Sequence, residues 1–78
     1  MHNVTIYTTP TCSWCKMTKA FFKEHNVEYQ EKDVSTDQVA ADEMVKKSGQ
    51  MGVPVIDVDG NVVVGFDKAG LTQLLDIN

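Results

Sequence analysis

A chain of 78 residues has room for one domain, spanning residues 1–78. With 42% hydrophobic and 23% charged residues, its composition is that of a globular protein and excludes a disordered or fibrous chain. The 7 basic and 11 acidic side chains give a net charge of -4, which argues against non-specific nucleic-acid binding.

The first residues carry no sign of export or membrane insertion. Met1 to Ile6 include neither a basic segment nor an apolar stretch, and no later apolar run approaches the length of a membrane span. We therefore expect a cytoplasmic protein with no membrane or nucleic-acid partner. In a reducing compartment, a pair of cysteines indicates redox or metal chemistry more than a structural disulfide.

The first strand and helix are predicted from hydrophobic spacing. Val4 and Ile6 alternate with polar neighbours, so a strand is expected over residues 3–7. A helical pattern starts at about Ser13 and ends at His25-Asn26, where Asn can adopt the left-handed conformation that stops a helix. The core positions of this helix are predicted to be Met17, Phe21 and Phe22.

The middle of the chain predicts a second strand followed by a second helix. The strand covers residues 27–34. Ser35 and Gln38 fit a capping box, which makes Ser35 the expected N-cap of a helix that stops at Gly49. The apolar residues of this helix are Val39, Ala40, Met44 and Val45.

A hairpin and a short helix are predicted at the end of the chain. Residues 53–58 favour a strand, and Asp59-Gly60 is typical of a type I′ turn leading into residues 61–64. Asp67 can then cap a last helix bearing Leu71, Leu74 and Leu75. The order β-α-β-α-β-β-α predicts an α/β fold, with a four-stranded mixed sheet between helices.

Cys12 and Cys15 lie where the first loop opens into the first helix. Residues at i and i+3 share one helix face, so the two sulfurs can form and reopen a disulfide. Unpaired N–H groups and the macrodipole at a helix N-terminus stabilise a thiolate at Cys12. We therefore assign Cys12 as the nucleophile and Cys15, one turn inside the helix, as the buried resolving cysteine.

Two other uses of the cysteine pair carry less weight. A structural disulfide closing so short a loop would restrict the unfolded chain only slightly. A zinc site lacks ligands, because the chain has no second CxxC and its histidines, His2 and His25, are far apart. We interpret His25 as a helix-end residue and His2 as a surface residue. A Cys-x-x-Cys opening a helix after a first strand therefore indicates redox chemistry.

Three segments of the chain resemble the glutaredoxin family, and the resemblance extends over nearly the whole sequence. Ile6 to Cys15 is similar to the family's active-site strand and loop. Gly52 to Ile56 is similar to the Thr-Val-Pro segment, in which the Val–Pro bond is cis. Gly65 to Asp67 is similar to the Gly-Gly-x-Asp stretch before the last helix. The resemblance implies a thioredoxin-like fold.

The resemblance also implies a substrate groove beside the cysteines. A cis Val53–Pro54 bond would present the Val53 backbone to a thiol peptide, whereas the simpler alternative for Pro54 is an edge-strand proline. Asp67 can cap the last helix and also face a free amino group such as that of a γ-glutamyl moiety. Trp14 is expected to be exposed at the rim of the groove, the alternative being a core tryptophan. The expected groove residues are Trp14, Val53, Pro54, Phe66 and Asp67.

The sequence departs from the family at positions that contact glutathione. Thr9 stands where glutathione-dependent members usually carry a Lys that pairs with the glycine carboxylate. Gly52 replaces the Thr before Val-Pro, and Val64 replaces the first Gly of the Gly-Gly pair. The motif is Cys-Ser-Trp-Cys in place of Cys-Pro-Tyr-Cys. Part of the glutathione clamp is therefore expected to be missing.

Three functions follow from this resemblance. The favoured one is a monomeric glutaredoxin-type disulfide oxidoreductase that reduces protein or glutathione mixed disulfides, with glutathione as co-substrate and no bound cofactor or metal. The second is a dedicated electron donor to ribonucleotide reductase, recharged by thioredoxin reductase. The third is an iron–sulfur or zinc-binding module, because Ser in place of Pro in the motif resembles glutaredoxins in which Cys12 and glutathione would hold a cluster.

Overall fold

The computed structural model describes residues 2–77 and confirms the predicted β-α-β-α-β-β-α order. The elements are β1 (Val4–Thr8), α1 (Ser13–Glu24), β2 (Gln30–Asp33), α2 (Gln38–Ser48), β3 (Val55–Val58), β4 (Asn61–Val64) and α3 (Lys68–Leu75).

The four strands form one mixed sheet in the order β2-β1-β3-β4. β1 and β2 are parallel because α1 crosses between them, whereas β3 pairs antiparallel with both β1 and β4. Tyr7 pairs with Val55, so the end of β1 lies beside the start of β3. The loop after β1 and the loop before β3 therefore meet at one end of the sheet.

Alternation along the strands gives the sheet two apolar faces. Ile6 lies in a buried cluster with Phe22 of α1 and Leu71 of α3. Tyr7, the next residue in β1, lies in a second cluster with Met44 of α2. The helices thus cover both faces, which confirms the predicted placement of the sheet between helices.

Turn and capping signals correctly predicted the hairpin turn and three of the helix ends. Asp59 and Gly60 have φ angles of 52° and 92°, the positive values that a type I′ turn requires. Gly49 ends α2 with a φ of 74°, His25 is the C-cap of α1, and Asp67 is the N-cap of α3.

The predicted capping box at Ser35 is wrong. The Asp33 carboxylate accepts both the backbone N–H of Ser35 at 2.9 Å and its hydroxyl at 2.5 Å, so Ser35 forms a turn instead. Asp37 is the N-cap of α2, and its Oδ1 accepts the N–H of Ala40 at 3.1 Å. The helix accordingly starts at Gln38.

Two expectations about the first half of the chain also need correction. Met17 is 48% exposed, because the buried stripe of α1 runs through Cys15, Thr18 and Phe22 and Met17 lies to one side of it. The second strand starts at Gln30 and not at residue 27. The N–H of Val27 bonds the Phe22 carbonyl at 2.8 Å, so this segment completes the end of α1.

A polar cluster around Tyr7 attaches α2 to the sheet. The Tyr7 hydroxyl donates to the Glu43 carboxylate, and Lys32 Nζ lies 2.8 Å from Glu43 Oε1. Lys47 Nζ lies 2.7 Å from Asp57 Oδ2. These bonds join α2 to β1, β2 and β3, and supplement the burial of two α2 side chains, Ala40 and Met44.

Glu43→Gln should lower the free energy of unfolding at neutral pH by about 0.5–1 kcal/mol, because it removes a partly exposed ion pair. The hydrogen bond from Lys32 holds the pKa of the Glu43 carboxyl below its usual range. The ion pair between Lys32 and Glu43 therefore stabilises the fold at pH values above the usual pKa of a Glu carboxyl. This stabilisation is lost as the pH falls through the lowered pKa of Glu43.

Urea unfolding at pH 7 and at about pH 3 measures this effect, and the difference between wild type and variant should shrink at the lower pH. Glu24→Gln, at an exposed position at the end of α1, is the control. An equal loss at both pH values would contradict the ion-pair account.

Candidate active site

Cys12 is the N-cap of α1, and its own sulfur caps the helix. Cys12 Sγ accepts the backbone N–H of Cys15 at 3.2 Å, and the residue has an extended backbone conformation with φ of −84° and ψ of 111°. Its side chain is partly exposed. The sulfur thus lies at the N-terminal end of α1, beside its free N–H groups, where a second molecule can reach it.

Cys15 lies one turn inside α1 in a different environment. Its side chain is fully buried, and neither cysteine is in a disulfide. Burial, and then the hydrogen bond with Cys12, raise the pKa of the Cys15 thiol to about 12. Cys15 is therefore a protonated thiol at neutral pH, and the two sulfurs have distinct chemistry.

The five expected groove residues come together on one surface. Trp14, Val53, Pro54, Phe66 and Asp67 line an open groove of ≈ 360 Å³, together with Val64 and Gly65. Trp14 is 59% exposed, as expected for a rim position. The groove thus combines the start of α1, the segment before β3 and the loop between β4 and α3.

Hydrogen bonds fix the two loops that form the groove. The Val53–Pro54 bond is cis, as the resemblance implied. The Pro54 carbonyl accepts the N–H of Gly65 at 2.8 Å, and Gly65 has a φ of 79°, a left-handed conformation that favours glycine. Cys12 Sγ lies 3.9 Å from the Val53 carbonyl oxygen, so this sulfur faces the same segment.

The last part of the groove is the start of α3. Asp67 Oδ1 accepts the N–H of Gly70 at 3.0 Å, which confirms the predicted cap. Phe66 packs against the core, with its ring centroid 5.9 Å from that of Phe21. Phe66 therefore forms an apolar wall, and Asp67 places one carboxylate at its edge.

Sequence reasoning did not find two features near the cysteines. Val64, which the sequence showed only as a departure from the family, is half exposed and lines the groove.

The second feature is a contact of Glu31. Glu31 Oε2 accepts from Lys19 Nζ at 2.7 Å and from the hydroxyl of buried Thr8 at 3.0 Å. Lys19 acts on Cys15 by lowering its pKa, an effect smaller than that of burial. The contacts of Glu31 with Thr8 and Lys19 follow only from the strand register, which brings β2 beside β1.

The remaining site predictions concern metal and membrane binding. His2 Nδ1 bonds Asp59 Oδ2 at 2.6 Å on the surface, and His25 ends α1. Within residues 2–77, no three His, Cys, Asp or Glu side chains are grouped as metal ligands. No helix in that range has both the length and the apolar character needed to cross a membrane.

Comparison with known proteins identifies similar chains. Residues 4–63 match the family model of glutaredoxin. A glutaredoxin-like 8.6 kDa protein in the rubredoxin operon of Clostridium pasteurianum is 45% identical, over 94% of this chain and 97% of that protein. Glutaredoxin 3 of Escherichia coli K12 is 37% identical, over 96% of this chain and 99% of its own.

Solved structures show the same fold. The crystal structure of a variant of a thioredoxin-like protein superposes with a TM-score of 0.93 at 36% identity, and covers 100% of both chains. A glutaredoxin from Archaeoglobus fulgidus superposes with a TM-score of 0.86 at 25% identity, over 96% of this chain and 87% of its own. The fold is therefore thioredoxin-like.

Trp14 lies between the two cysteines in sequence and should report their redox state. A disulfide quenches indole emission at contact distance, so we expect the fluorescence spectrum to change between reduced and oxidised protein. The measurement is emission of the one tryptophan before and after addition of dithiothreitol. A Cys12→Ser/Cys15→Ser protein, treated identically, is the control. Identical spectra for the two redox states would place the indole away from the sulfurs.

Proposed function

Because this chain belongs to the glutaredoxin family, we propose that it is a cytoplasmic thiol–disulfide oxidoreductase that reduces protein or glutathione mixed disulfides. The observation that carries the proposal is the pair of unlike sulfurs at one helix end. Cys12 is partly exposed and accepts a helix N–H at 3.2 Å, while Cys15 is buried with its pKa raised to about 12.

The proposed reaction consists of two exchanges. The Cys12 thiolate attacks one sulfur of the substrate disulfide, forms a mixed disulfide and releases the other substrate sulfur as a thiolate, which takes up a proton from solvent. Cys15 then attacks the Cys12 sulfur, and the Cys15 proton passes to the departing second substrate sulfur, which leaves as a thiol. The protein ends with a Cys12–Cys15 disulfide, having supplied two electrons. Two glutathione molecules, acting as co-substrate, would return the two electrons and reduce the Cys12–Cys15 disulfide.

The groove supplies binding that depends little on substrate side chains. The Val53 carbonyl lies 3.9 Å from Cys12 Sγ, so a peptide next to the attacked sulfur can bond the Val53 backbone. Phe66 and Trp14 offer apolar walls, and Asp67 offers a carboxylate to an amino group. We propose these roles for Trp14, Val53, Pro54, Phe66 and Asp67.

A second candidate function is electron donation to one partner enzyme, such as ribonucleotide reductase, with recharging by thioredoxin reductase. Its support is a set of exposed apolar side chains. Trp14 and Val64, which line the groove, are 59% and 50% exposed, and Met17 of α1 is 48% exposed. Exposed apolar side chains beside a reactive group are typical of a protein docking surface. Thr9 supports the same alternative, because its side chain has no positive charge to pair with a carboxylate of glutathione.

Two substitutions test which cysteine is the nucleophile and which one resolves the mixed disulfide. Cys12→Ser should abolish reduction of a glutathionylated peptide, because no thiolate remains at the helix end. Cys15→Ser should accumulate a mixed disulfide with glutathione, visible by mass spectrometry as one added glutathione. The reverse pattern, with the adduct trapped in Cys12→Ser, would reverse the assignment.

Thr9→Lys should improve the use of glutathione, because it restores a cation for the glycine carboxylate. We expect the apparent KM for glutathione to fall about threefold to tenfold with little change in kcat, since the new contact is at a partly exposed site. Thr9→Gln, which adds length without charge, is the matched control.

Efficient turnover of the wild type at low glutathione, unchanged by Thr9→Lys, would contradict this account of the groove. Recycling by thioredoxin reductase, together with no response to glutathione, would favour the dedicated electron donor instead.

A further inference from the structure

The two edges of the sheet differ in their chemistry. β2, at one edge, has the sequence Gln-Glu-Lys-Asp, and charged side chains on an edge strand discourage pairing with another chain. β4, at the other edge, has the sequence Asn-Val-Val-Val and carries no charge. Val63 is buried, whereas Val62 and Val64 are 37% and 50% exposed. The β4 edge is therefore the one that can accept an additional strand.

The backbone of β4 is open at the same two exposed residues. The N–H of Gly65, directly after β4, bonds the Pro54 carbonyl at 2.8 Å. Because hydrogen-bonded pairs alternate along an antiparallel ladder, Val63 also bonds towards β3. The N–H and C=O groups of Val62 and Val64 therefore point away from β3. Across residues 2–77, no bond to a turn, a loop or a side chain involves them.

This open edge is continuous with the groove beside Cys12. Val64 belongs to both, because its side chain lines the groove together with Trp14 and Val53. Residues two apart in a strand have their side chains on one face, so Val62 extends the apolar surface of Val64 along β4. A chain that leaves the groove past Val64 thus meets an apolar strand with free backbone groups.

We propose that the β4 edge binds an extended segment of a protein substrate, which adds to the sheet as a fifth strand while its disulfide lies at Cys12. This inference rests on the proposed function and names its substrate class. A segment running from the groove towards the start of β4 is antiparallel to β4 and follows the reacting cysteine in sequence. Val62 and Val64 bond its backbone and pack against its alternate apolar side chains.

A second copy of this chain fits the edge less well than a substrate does. Each copy carries a net charge of -4, and pairing of two β4 strands would cover Val64, a wall of the groove. An edge of four residues is also small against the roughly 1,200 Å² that a stable interface buries. A substrate is held in addition by its mixed disulfide with Cys12, so weak pairing is sufficient.

The test compares two symmetric disulfides of one-cysteine peptides, each acetylated and amidated at its ends. The short peptide is Gly-Cys-Gly, and the extended peptide is Gly-Cys-Gly-Thr-Val-Thr-Val-Thr. In either reaction with the reduced protein, the dithiol is oxidised to the Cys12–Cys15 disulfide and the probe is reduced to two thiol peptides. The measured quantity is the ratio of the two second-order rate constants, extended over short, in a single turnover.

The extended disulfide should react about fivefold to tenfold faster than the short one, as expected from a few peptide hydrogen bonds of modest net energy. Val62→Lys places a charge on the edge and should lower this ratio to about twofold or less, with no change for the short disulfide. Val39→Lys, the same substitution at an exposed valine of α2, is the matched control and should keep the wild-type ratio.

Methylated peptides test the backbone contacts with the wild type alone, whether or not Val62→Lys folds. Alternate amides of an added strand face the edge. N-methylation of one alternate set in the extension should therefore remove the preference, and methylation of the other set should preserve it.

Equal wild-type rates for the two disulfides, an unchanged ratio in Val62→Lys, or equal effects of both methylation sets would overturn the edge-strand inference alone. A wild type that sediments as a dimer, with Val62→Lys as a monomer, would overturn it in favour of a second copy. A wild type that reduces neither disulfide would overturn the proposed function as well.

Discussion

The hydrogen bond from the Cys15 N–H to Cys12 Sγ, at 3.2 Å, is the contact on which the candidate active site of this glutaredoxin-family protein depends. A helix N-terminus needs an acceptor for its free N–H groups, and here the acceptor is the sulfur that we propose as the nucleophile. The donor of this bond belongs to the residue three positions further along the chain, so the second sulfur lies one turn inside the helix. Because that turn faces the core, Cys15 is buried and its pKa is raised to about 12. The helix cap and the burial of Cys15 together place the two sulfurs in unlike surroundings.

The sheet brings the groove to that helix end. The pairing of β1 with β3 puts Val53 beside the cysteine loop, and the pairing of β3 with β4 brings Gly65 to Pro54. Each groove segment is therefore attached to a strand or to the start of a helix, which limits its movement. The surface of the groove is mainly backbone and apolar side chains, with the carboxylate of Asp67 at one edge.

Local signals in the sequence predicted the fold, whereas contacts between distant segments were harder to predict. Asp59-Gly60 requires only its own backbone conformation to form a turn, and the turn is present. The spacing of Ser35 and Gln38 predicted a helix cap at Ser35. That spacing does not show that the Asp33 carboxylate accepts both the N–H and the hydroxyl of Ser35. Met17 was placed in the core because periodicity alone does not say how wide a stripe the sheet covers. The cysteines followed from their spacing, but the groove followed from family resemblance, and Val64 was missed as one of its walls.

The account depends most on Cys12 reacting as a thiolate while Cys15 stays a buried thiol, and alkylation of the reduced wild type tests this directly. Iodoacetamide would be applied in short pulses from acid to alkaline pH, with the modified cysteine located by mass spectrometry of peptides. The account predicts that Cys12 is modified at neutral pH and that Cys15 resists until the pH approaches its raised pKa of about 12. Modification of Cys15 as fast as Cys12 at neutral pH would contradict it.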